Sequence, residues 1–264
     1  MRQPTMSPTK FATFLACPYK YKWLYLDSRG KWFVRSKSCY SFGTSLHRVL
    51  QRYHDNEDIS IKSLDDAVEA LDQAWIDAGY ASAAEMSEAL GDGKIVIQRY
   101  IRAAEHRQKE SQTIFVEKQL SHSYDEFKLL GRVDRIEEYP DGELEVVDYK
   151  SGRETVSSED VASDISMGCY QLLMRKNFPG RKVTATIIAL RSGHQASYSM
   201  NEIELNEFEK DILKLGTIIL SEDFQELFPK RKRICTDCDF VPLCKKYSEF
   251  LDQELLASSD DFRG

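Results

Sequence analysis

The sequence contains no long uninterrupted apolar run. A membrane-spanning helix needs about 20 consecutive, mostly apolar residues, and no stretch of this chain approaches that length. Residues 1–20 also lack the apolar segment of a secretory signal peptide. We therefore expect no contact with a membrane and a cytoplasmic location.

An excess of positive charge is also missing. The 264 residues include 36 Lys and Arg against 43 Asp and Glu, so the formal net charge is -7 at pH 7. A protein that holds nucleic acid on a uniformly basic surface has the opposite sign. Any polyanionic partner must therefore be bound by a local basic groove.

Cysteines are few, and their positions are uneven. Cys39 and Cys169 are isolated, and we expect both to be buried small side chains. The other four are divided between the two ends of the chain: Cys17, Cys235, Cys238 and Cys244. A disulfide framework is not expected in a reducing compartment. Thiolates this dense, close to the basic run at 230–233, are better suited to a metal ion or an iron-sulfur cluster.

The segment after the first cysteine alternates lysines with aromatic residues. Ser7 followed by Pro8 is typical of a helix start. Downstream, Lys20, Tyr21 and Lys22 are candidates for contact with a nucleic-acid strand, by charge on phosphate and by ring on base. The alternative is an amphipathic helix whose aromatic rings pack inside and whose lysines are solvated.

The pattern of apolar residues predicts helices early and a sheet later. A helix is expected from Gly43, two more at 64–79 and about 83–109, and a strand at 113–117. We interpret about 55–110 as a helical elaboration on a sheet core. The polar residues 257–264 predict a flexible tail.

Two strand-like runs flank Pro140, Asp141 and Gly142, which predicts a hairpin with a three-residue loop. In that register Asp134 falls directly opposite Asp148. Opposed side chains have Cβ atoms about 4.5 to 5.5 Å apart, and like charges at that distance repel. A bound divalent cation would remove the repulsion.

Strand alternation places Lys150 on the same face as Asp148. An ammonium beside metal-bound carboxylates can orient a water molecule or neutralise charge on a phosphoryl group. The alternative is an ordinary hairpin that carries a surface Asp-Lys pair.

Together these motifs resemble the PD-(D/E)XK nucleases of the RecB type. That group includes the CRISPR-associated adaptation nucleases and the AddB-type nucleases with an iron-sulfur clasp. The resemblance is carried by Gly131 to Asp134, by Asp148-Tyr149-Lys150, by Gly43-Thr-Ser-Leu-His47, and by Cys17-Pro18 with the C-terminal cysteine trio.

The resemblance implies a fold. It is an α/β restriction-endonuclease-like core, in which helices flank a mixed central sheet, with a helical insertion and an N/C-terminal iron-sulfur clasp. We expect a single nuclease domain over 1–256, with the clasp formed by 1–30 and 230–250. The four divided cysteines would hold a structural 4Fe-4S cluster, whereas their spacing alone would favour zinc.

The resemblance also implies a function: a DNA nuclease that trims single strands from an end, dependent on Mg²⁺ or Mn²⁺. The pathway would be recombination, repair, phage DNA processing or CRISPR adaptation, with a helicase, recombination or CRISPR adaptation partner. The implied metal ligands are His47, Asp134, Asp148 and the carbonyl of Tyr149. Lys150 would be the catalytic lysine.

One family motif is incomplete. Gln171 fits the catalytic glutamine of the next helix, but Arg175 stands where the family has a tyrosine, one turn later. Arg175 could instead hold a phosphate. The main alternative function is a non-catalytic iron-sulfur subunit that binds DNA ends within a larger complex. A third hypothesis is a scaffold protein that a zinc ion stabilises and that neither binds nor cuts nucleic acid.

Overall fold

Alternating apolar residues in the middle of the chain form the strands of one six-stranded sheet. The computed structural model describes residues 3–58, 60–107, 110–152 and 154–251. The tail predicted at 257–264 lies outside these residues.

The sheet is mixed. Its strands are β1 (Thr5–Met6), β2 (Gln112–Ser123), β3 (Lys128–Glu138), β4 (Leu144–Lys150), β5 (Val183–Ala189) and β6 (Gln195–Tyr198). The long strand β3 pairs antiparallel with β2 along one edge, and with β4 and the short parallel β1 along the other. Strand β5 runs parallel to β4, and β6 runs antiparallel to β5. The predicted mixed sheet is confirmed.

Nine α-helices lie within the described residues. They are α1 (Pro8–Ala16), α2 (Pro18–Tyr21), α3 (Ser38–His54), α4 (Leu64–Ala74), α5 (Ala83–Arg107), α6 (Ser158–Ser163), α7 (Ile165–Asn177), α8 (Glu202–Ser221) and α9 (Val241–Cys244). A π-helical turn, Lys22–Leu26, and two 3₁₀ turns, Ser28–Trp32 and Arg233–Asp237, complete the helical elements. Ser7 caps α1 as predicted, because its Oγ accepts a hydrogen bond from the Lys10 N–H at 3.3 Å.

The chain divides into two compact units. The first contains Met1–Met6 and Ser36–Ile212, and therefore the whole sheet. The second contains Ser7–Arg35 and the segment that begins at Leu213, so the two ends of the chain fold together. Most of the predicted clasp falls in this second unit. The single domain expected over 1–256 stays a prediction.

Helices cover the sheet of the first unit. Leu46, Val49 and Leu50 form the apolar stripe of α3 and are fully buried in a core shared with α4, α5 and strands β4 and β5. Helix α7 packs on β3 at Gly131, where an added Cβ would lie 2.6 Å from the Leu173 side chain. Glycine at this position thus leaves room for the Leu173 side chain, which would have to shift if a Cβ were present.

The hairpin between β3 and β4 has the predicted register. Glu138 pairs with Leu144 and Ile136 with Val146. The Gly142 N–H donates to the Tyr139 carbonyl at 2.9 Å, and Gly142 has a φ of 89°. This left-handed backbone is the one that a three-residue loop requires at its last position.

In the part of the chain that the structure describes, no helix combines the length and apolar character needed to cross a bilayer.

Replacement of Gly142 by alanine should lower the free energy of unfolding by about 1–2 kcal/mol, because a side chain is strained at positive φ. Urea denaturation measures the change. Gly91→Ala is the control: Gly91 lies in α5 with open space around it, so alanine should be neutral or stabilising there. Equal stability of Gly142→Ala and the parent would contradict the loop assignment.

Candidate active site

The end of the β3–β4 ladder brings the two predicted aspartates together. The last backbone pair is Arg135 with Val147, so Asp134 and Asp148 occupy the next position in register. There the Oδ2 of Asp134 accepts a hydrogen bond from the Tyr149 N–H at 2.8 Å. A side-chain carboxylate thus takes the place of a strand partner, and Asp134 is fixed at the edge of the sheet.

Helix α3 brings His47 to the same edge. Its Nδ1 lies 3.5 Å from Asp134 Oδ1, and its Nε2 lies 3.1 Å from the carbonyl oxygen of Tyr149. Burial acts to lower the pKa of His47, but hydrogen bonding to Asp134 and the charges of Asp134 and Asp148 outweigh it and raise that pKa. The surroundings of the ring are therefore strongly negative and favour a cation.

Asp148 and Lys150 form a close ion pair, with Lys150 Nζ 2.7 Å from Asp148 Oδ2. Asp148 is 7% exposed. Burial raises the pKa of Asp148, and the charge of Asp134 adds to this while Lys150 opposes it. Burial acts to lower the pKa of Lys150, but Asp148 raises it overall. Lys150 therefore remains a cation at neutral pH.

Glu117 on β2 completes the acidic edge, and sequence reasoning did not identify it. Its neighbours Val116 and Lys118 pair with Arg135 and Val133, so Glu117 stands opposite Asp134. It has a φ of 49°, a backbone conformation that is strained for a residue with a Cβ. Burial, together with the charge of Asp134, raises the pKa of the Glu117 carboxyl.

Donor atoms of His47, Glu117 and Asp134 all lie within 4.8 Å of one another. One imidazole with carboxylate oxygens is a donor set that divalent cations such as Mg²⁺ and Mn²⁺ accept. The arrangement could therefore hold a metal ion beside the Asp148–Lys150 pair.

Comparison with known families identifies this arrangement. A family model of the PD-(D/E)XK nuclease superfamily matches residues 5–245. The chain belongs to this superfamily. Its members use divalent metal ions, in agreement with the acidic edge of the sheet.

Solved structures agree at the level of the fold. A candidate exonuclease from Eubacterium rectale is 17% identical over 92% of this chain and 87% of its own length, with a TM-score of 0.52. The protein SSO0001 is 16% identical over 88% of this chain and 95% of its own, but its TM-score of 0.29 is too low to bear on the fold. No curated protein matches the chain.

The edge of this PD-(D/E)XK nuclease opens into a cavity of about 520 Å³. His47, Glu117 and Asp134 line it together with the side chains of Tyr40 and Arg48. Tyr40 is 64% exposed, and Arg48 is also exposed. The cavity is thus lined by an exposed aromatic ring and an exposed cation, two kinds of side chain that contact nucleic acid. Only the fold reveals this pairing, because the sequence around Tyr40 shows no recognisable motif.

The DNA contacts predicted near the N-terminus are placed differently. Tyr21 is buried and stacks on Phe224 of the same unit, at 5.6 Å between ring centroids. Lys22 is also buried, and its Nζ donates to the Phe224 carbonyl at 2.7 Å. Lys20 is half-buried. The buried Tyr21 ring fits the amphipathic alternative, but the burial of Lys22 does not, because that alternative expects solvated lysines. A DNA contact by these residues stays a prediction.

Gln171 and Arg175 on α7 are absent from the described residues that line the cavity around His47. The Oε1 of Gln171 accepts a hydrogen bond from the Met200 N–H at 2.8 Å. Arg175 donates to Glu209 Oε2 at 2.7 Å. The side chains of Gln171 and Arg175 are thus directed away from that cavity. A catalytic role for Gln171 and a phosphate contact for Arg175 stay predictions.

Tyr170 is the α7 residue whose pKa responds to the charges of the two aspartates. Burial raises its pKa, and the charges of Asp148 and Asp134 raise it further. Tyr170 directly precedes Gln171 in α7 and is almost fully buried.

The four divided cysteines all lie in the second unit, within or against a core that contains Tyr19, Trp23 and Phe240. Burial, together with the charges of Cys17, Cys238 and Cys235, raises the pKa of Cys244 to about 12. The sulfur atoms are thus close enough to interact. Of the two isolated cysteines, Cys169 is buried as predicted. Cys39 is exposed because it lies in the first turn of α3, at the cavity mouth.

Glu117→Gln should weaken Mn²⁺ binding at least about tenfold, since loss of even an outer-shell partner typically costs 10–100-fold. Isothermal titration of the purified nuclease with Mn²⁺ gives the dissociation constant. Glu88→Gln, an exposed glutamate on α5, is the matched control and should bind like the parent. Equal affinity of both variants would remove Glu117 from the metal site.

Proposed function

We propose that this protein is a divalent-metal-dependent DNA nuclease that hydrolyses phosphodiester bonds, acting on single strands from an end. The observation that carries the proposal is the edge of the β3–β4 hairpin. There Asp134, Asp148 and Lys150 meet His47 on α3 at the distances given above.

His47, Asp134 and the carbonyl of Tyr149 would hold the working ion, and Glu117 is a further donor within reach. When bound, a Mg²⁺ or Mn²⁺ ion polarises the phosphodiester and activates a water molecule. We assign Asp148 to the same site, where it also fixes the ammonium of Lys150. Lys150 then offsets negative charge that develops on the phosphoryl group.

Single-stranded DNA is the substrate that the cavity supports best. An exposed Tyr40 ring can stack on any base, and the nearby Arg48 can contact a phosphate. The fold shared with the candidate exonuclease from Eubacterium rectale supports action at an end. We place the activity in recombination, repair, phage DNA processing or CRISPR adaptation, with a helicase or a CRISPR adaptation protein as partner.

Asp148→Asn and Lys150→Met should each lower the rate of cleavage by at least about 100-fold, because each removes a charge that acts on the reacting phosphate. The assay uses single strands and duplexes labelled at the 5′ or the 3′ end, with Mn²⁺. Asp72 and Lys94 form a matched exposed pair 2.7 Å apart, so Asp72→Asn and Lys94→Met are the controls.

Cleavage that is equal in all four variants would contradict the assignment. Salt-sensitive DNA binding without cleavage by the parent, under every metal tested, would favour the non-catalytic DNA-end-binding subunit instead.

We also propose a structural 4Fe-4S cluster on Cys17, Cys235, Cys238 and Cys244. Backbone N–H groups already donate to two of the sulfurs: Lys20 to Cys17 at 3.4 Å, and Lys232 to Cys235 at 3.3 Å. Hydrogen bonds of this kind tune protein-bound iron-sulfur clusters.

The spacing of the four cysteines alone favours zinc, and the choice of iron rests on the resemblance to the nucleases with an iron-sulfur clasp.

Cys238→Ser should abolish a broad absorption near about 400 nm, together with bound iron and acid-labile sulfide, in anaerobically purified protein. Cys39→Ser is the control, since Cys39 is exposed and lies in the first unit. Stoichiometric zinc in the parent, without iron, would overturn the cluster and leave a zinc staple.

A further inference from the structure

The peptide unit of Tyr149 is the point on which the metal site converges. Its N–H donates to Asp134 at 2.8 Å, and its carbonyl oxygen lies 3.1 Å from the His47 ring. Asp148 and Lys150 are its immediate neighbours in β4. A displacement of this one residue would therefore move every group of the proposed site.

The side chain of Tyr149 points away from the aspartates, into a buried polar network. Its hydroxyl lies 2.9 Å from the hydroxyl of Tyr100, which belongs to α5. The Tyr100 hydroxyl also accepts from Arg135 at 2.7 Å and lies 2.8 Å from His54 Nε2. These three partners match the one proton and two lone pairs of a phenol.

Arg135 connects this network to the second strand of the site. It follows Asp134 directly in β3, and its side chain is almost fully buried. Its charge is balanced by Glu137, 3.2 Å away and equally buried. Ser111 in turn donates to the other oxygen of Glu137 at 2.6 Å.

A buried ion pair is a poor way to gain stability, because desolvation of the two charges offsets their attraction. Here Arg135 lies against Tyr100 and Tyr149, two members of the apolar core that α3, α4 and α5 share with the sheet. The charged pair instead contributes directional hydrogen bonds, and each of these bonds fixes the position of one strand or helix relative to the next.

We propose that Tyr100, supported by Arg135, is a positioning residue of the metal site, acting from the face of the sheet opposite the aspartates. Tyr100 holds the Tyr149 ring, and so the peptide unit that contacts Asp134 and His47. Helix α5, which belongs to the helical elaboration, thereby influences metal binding and catalysis through Tyr100. The role in turnover rests on the proposed nuclease function, whereas the role in metal binding stands separately.

The test uses the full chain and variants that remove one oxygen atom. Tyr100→Phe should weaken Mn²⁺ binding about tenfold, the effect typical of an outer-shell partner. It should also lower kcat on single-stranded DNA while the KM changes less than about twofold, because the DNA-contacting surface is untouched. Titration calorimetry and steady-state cleavage give the two readouts.

Tyr53→Phe is the matched control. Tyr53 packs against the same core, and its ring lies 4.8 Å from that of His54 at the edge of the network. It should bind Mn²⁺ and cleave like the parent. Tyr149→Phe should also weaken Mn²⁺ binding, and the double variant should be no weaker than Tyr100→Phe, because Tyr100→Phe already removes the link to Tyr149.

The outcomes are distinct. A Tyr100→Phe protein that loses thermal stability but keeps the parent's Mn²⁺ affinity overturns the positioning role, as does a fully additive double variant. A parent that binds Mn²⁺ without cutting DNA refutes the nuclease function, and the metal-binding comparison still decides the role of Tyr100. A parent with no Mn²⁺ affinity overturns both.

Discussion

The geometry of the candidate active site depends on one hydrogen bond, which the Tyr149 N–H donates to the carboxylate of Asp134. It takes the place of the next ladder contact between β3 and β4, and it ends their regular pairing where the two strands carry their aspartates. The carboxylate can reach the N–H only because the hairpin register is kept from Gly142 onward. The turn at Gly142 thus fixes the register that brings Asp134 to the Tyr149 N–H at the other end of the hairpin.

The electrostatic cost of this arrangement is visible in the groups around it. Negative charge gathers at Asp134, Asp148 and Glu117, and burial raises the pKa of the latter two. His47 and Lys150 offset part of that charge, and their own pKa values rise in response. A bound divalent cation would offset the remaining negative charge, in agreement with the use of divalent metal ions by PD-(D/E)XK nucleases.

The second unit follows a different constraint. Two segments far apart in the chain share one small aromatic core, and each brings cysteine to it. A core of this size gives limited hydrophobic stabilisation. A group held by all four thiolates, as we propose, would join the two segments and add to this limited stabilisation.

Much of this was predictable from the sequence, because the determining interactions are local. The hairpin register follows from one turn, the face of Lys150 follows from strand alternation, and the Ser7 cap follows from residue type. These features depend on neighbours within about 20 residues. The divided cysteines likewise indicated, by spacing alone, that the chain ends fold together.

Tertiary structure decided what depends on distant packing. Glu117 reaches the site through the β2–β3 register and a strained φ, which no motif encodes. Tyr21 and Lys22 are buried because Phe224, some 200 residues away, covers them. Residue type and short-range geometry were enough to predict the candidate groups Asp134, Asp148, Lys150 and His47, because the motifs that contain them are short. Only the tertiary fold decided which of them meet, because side-chain contacts across strands and helices depend on registers and packing that local patterns do not specify.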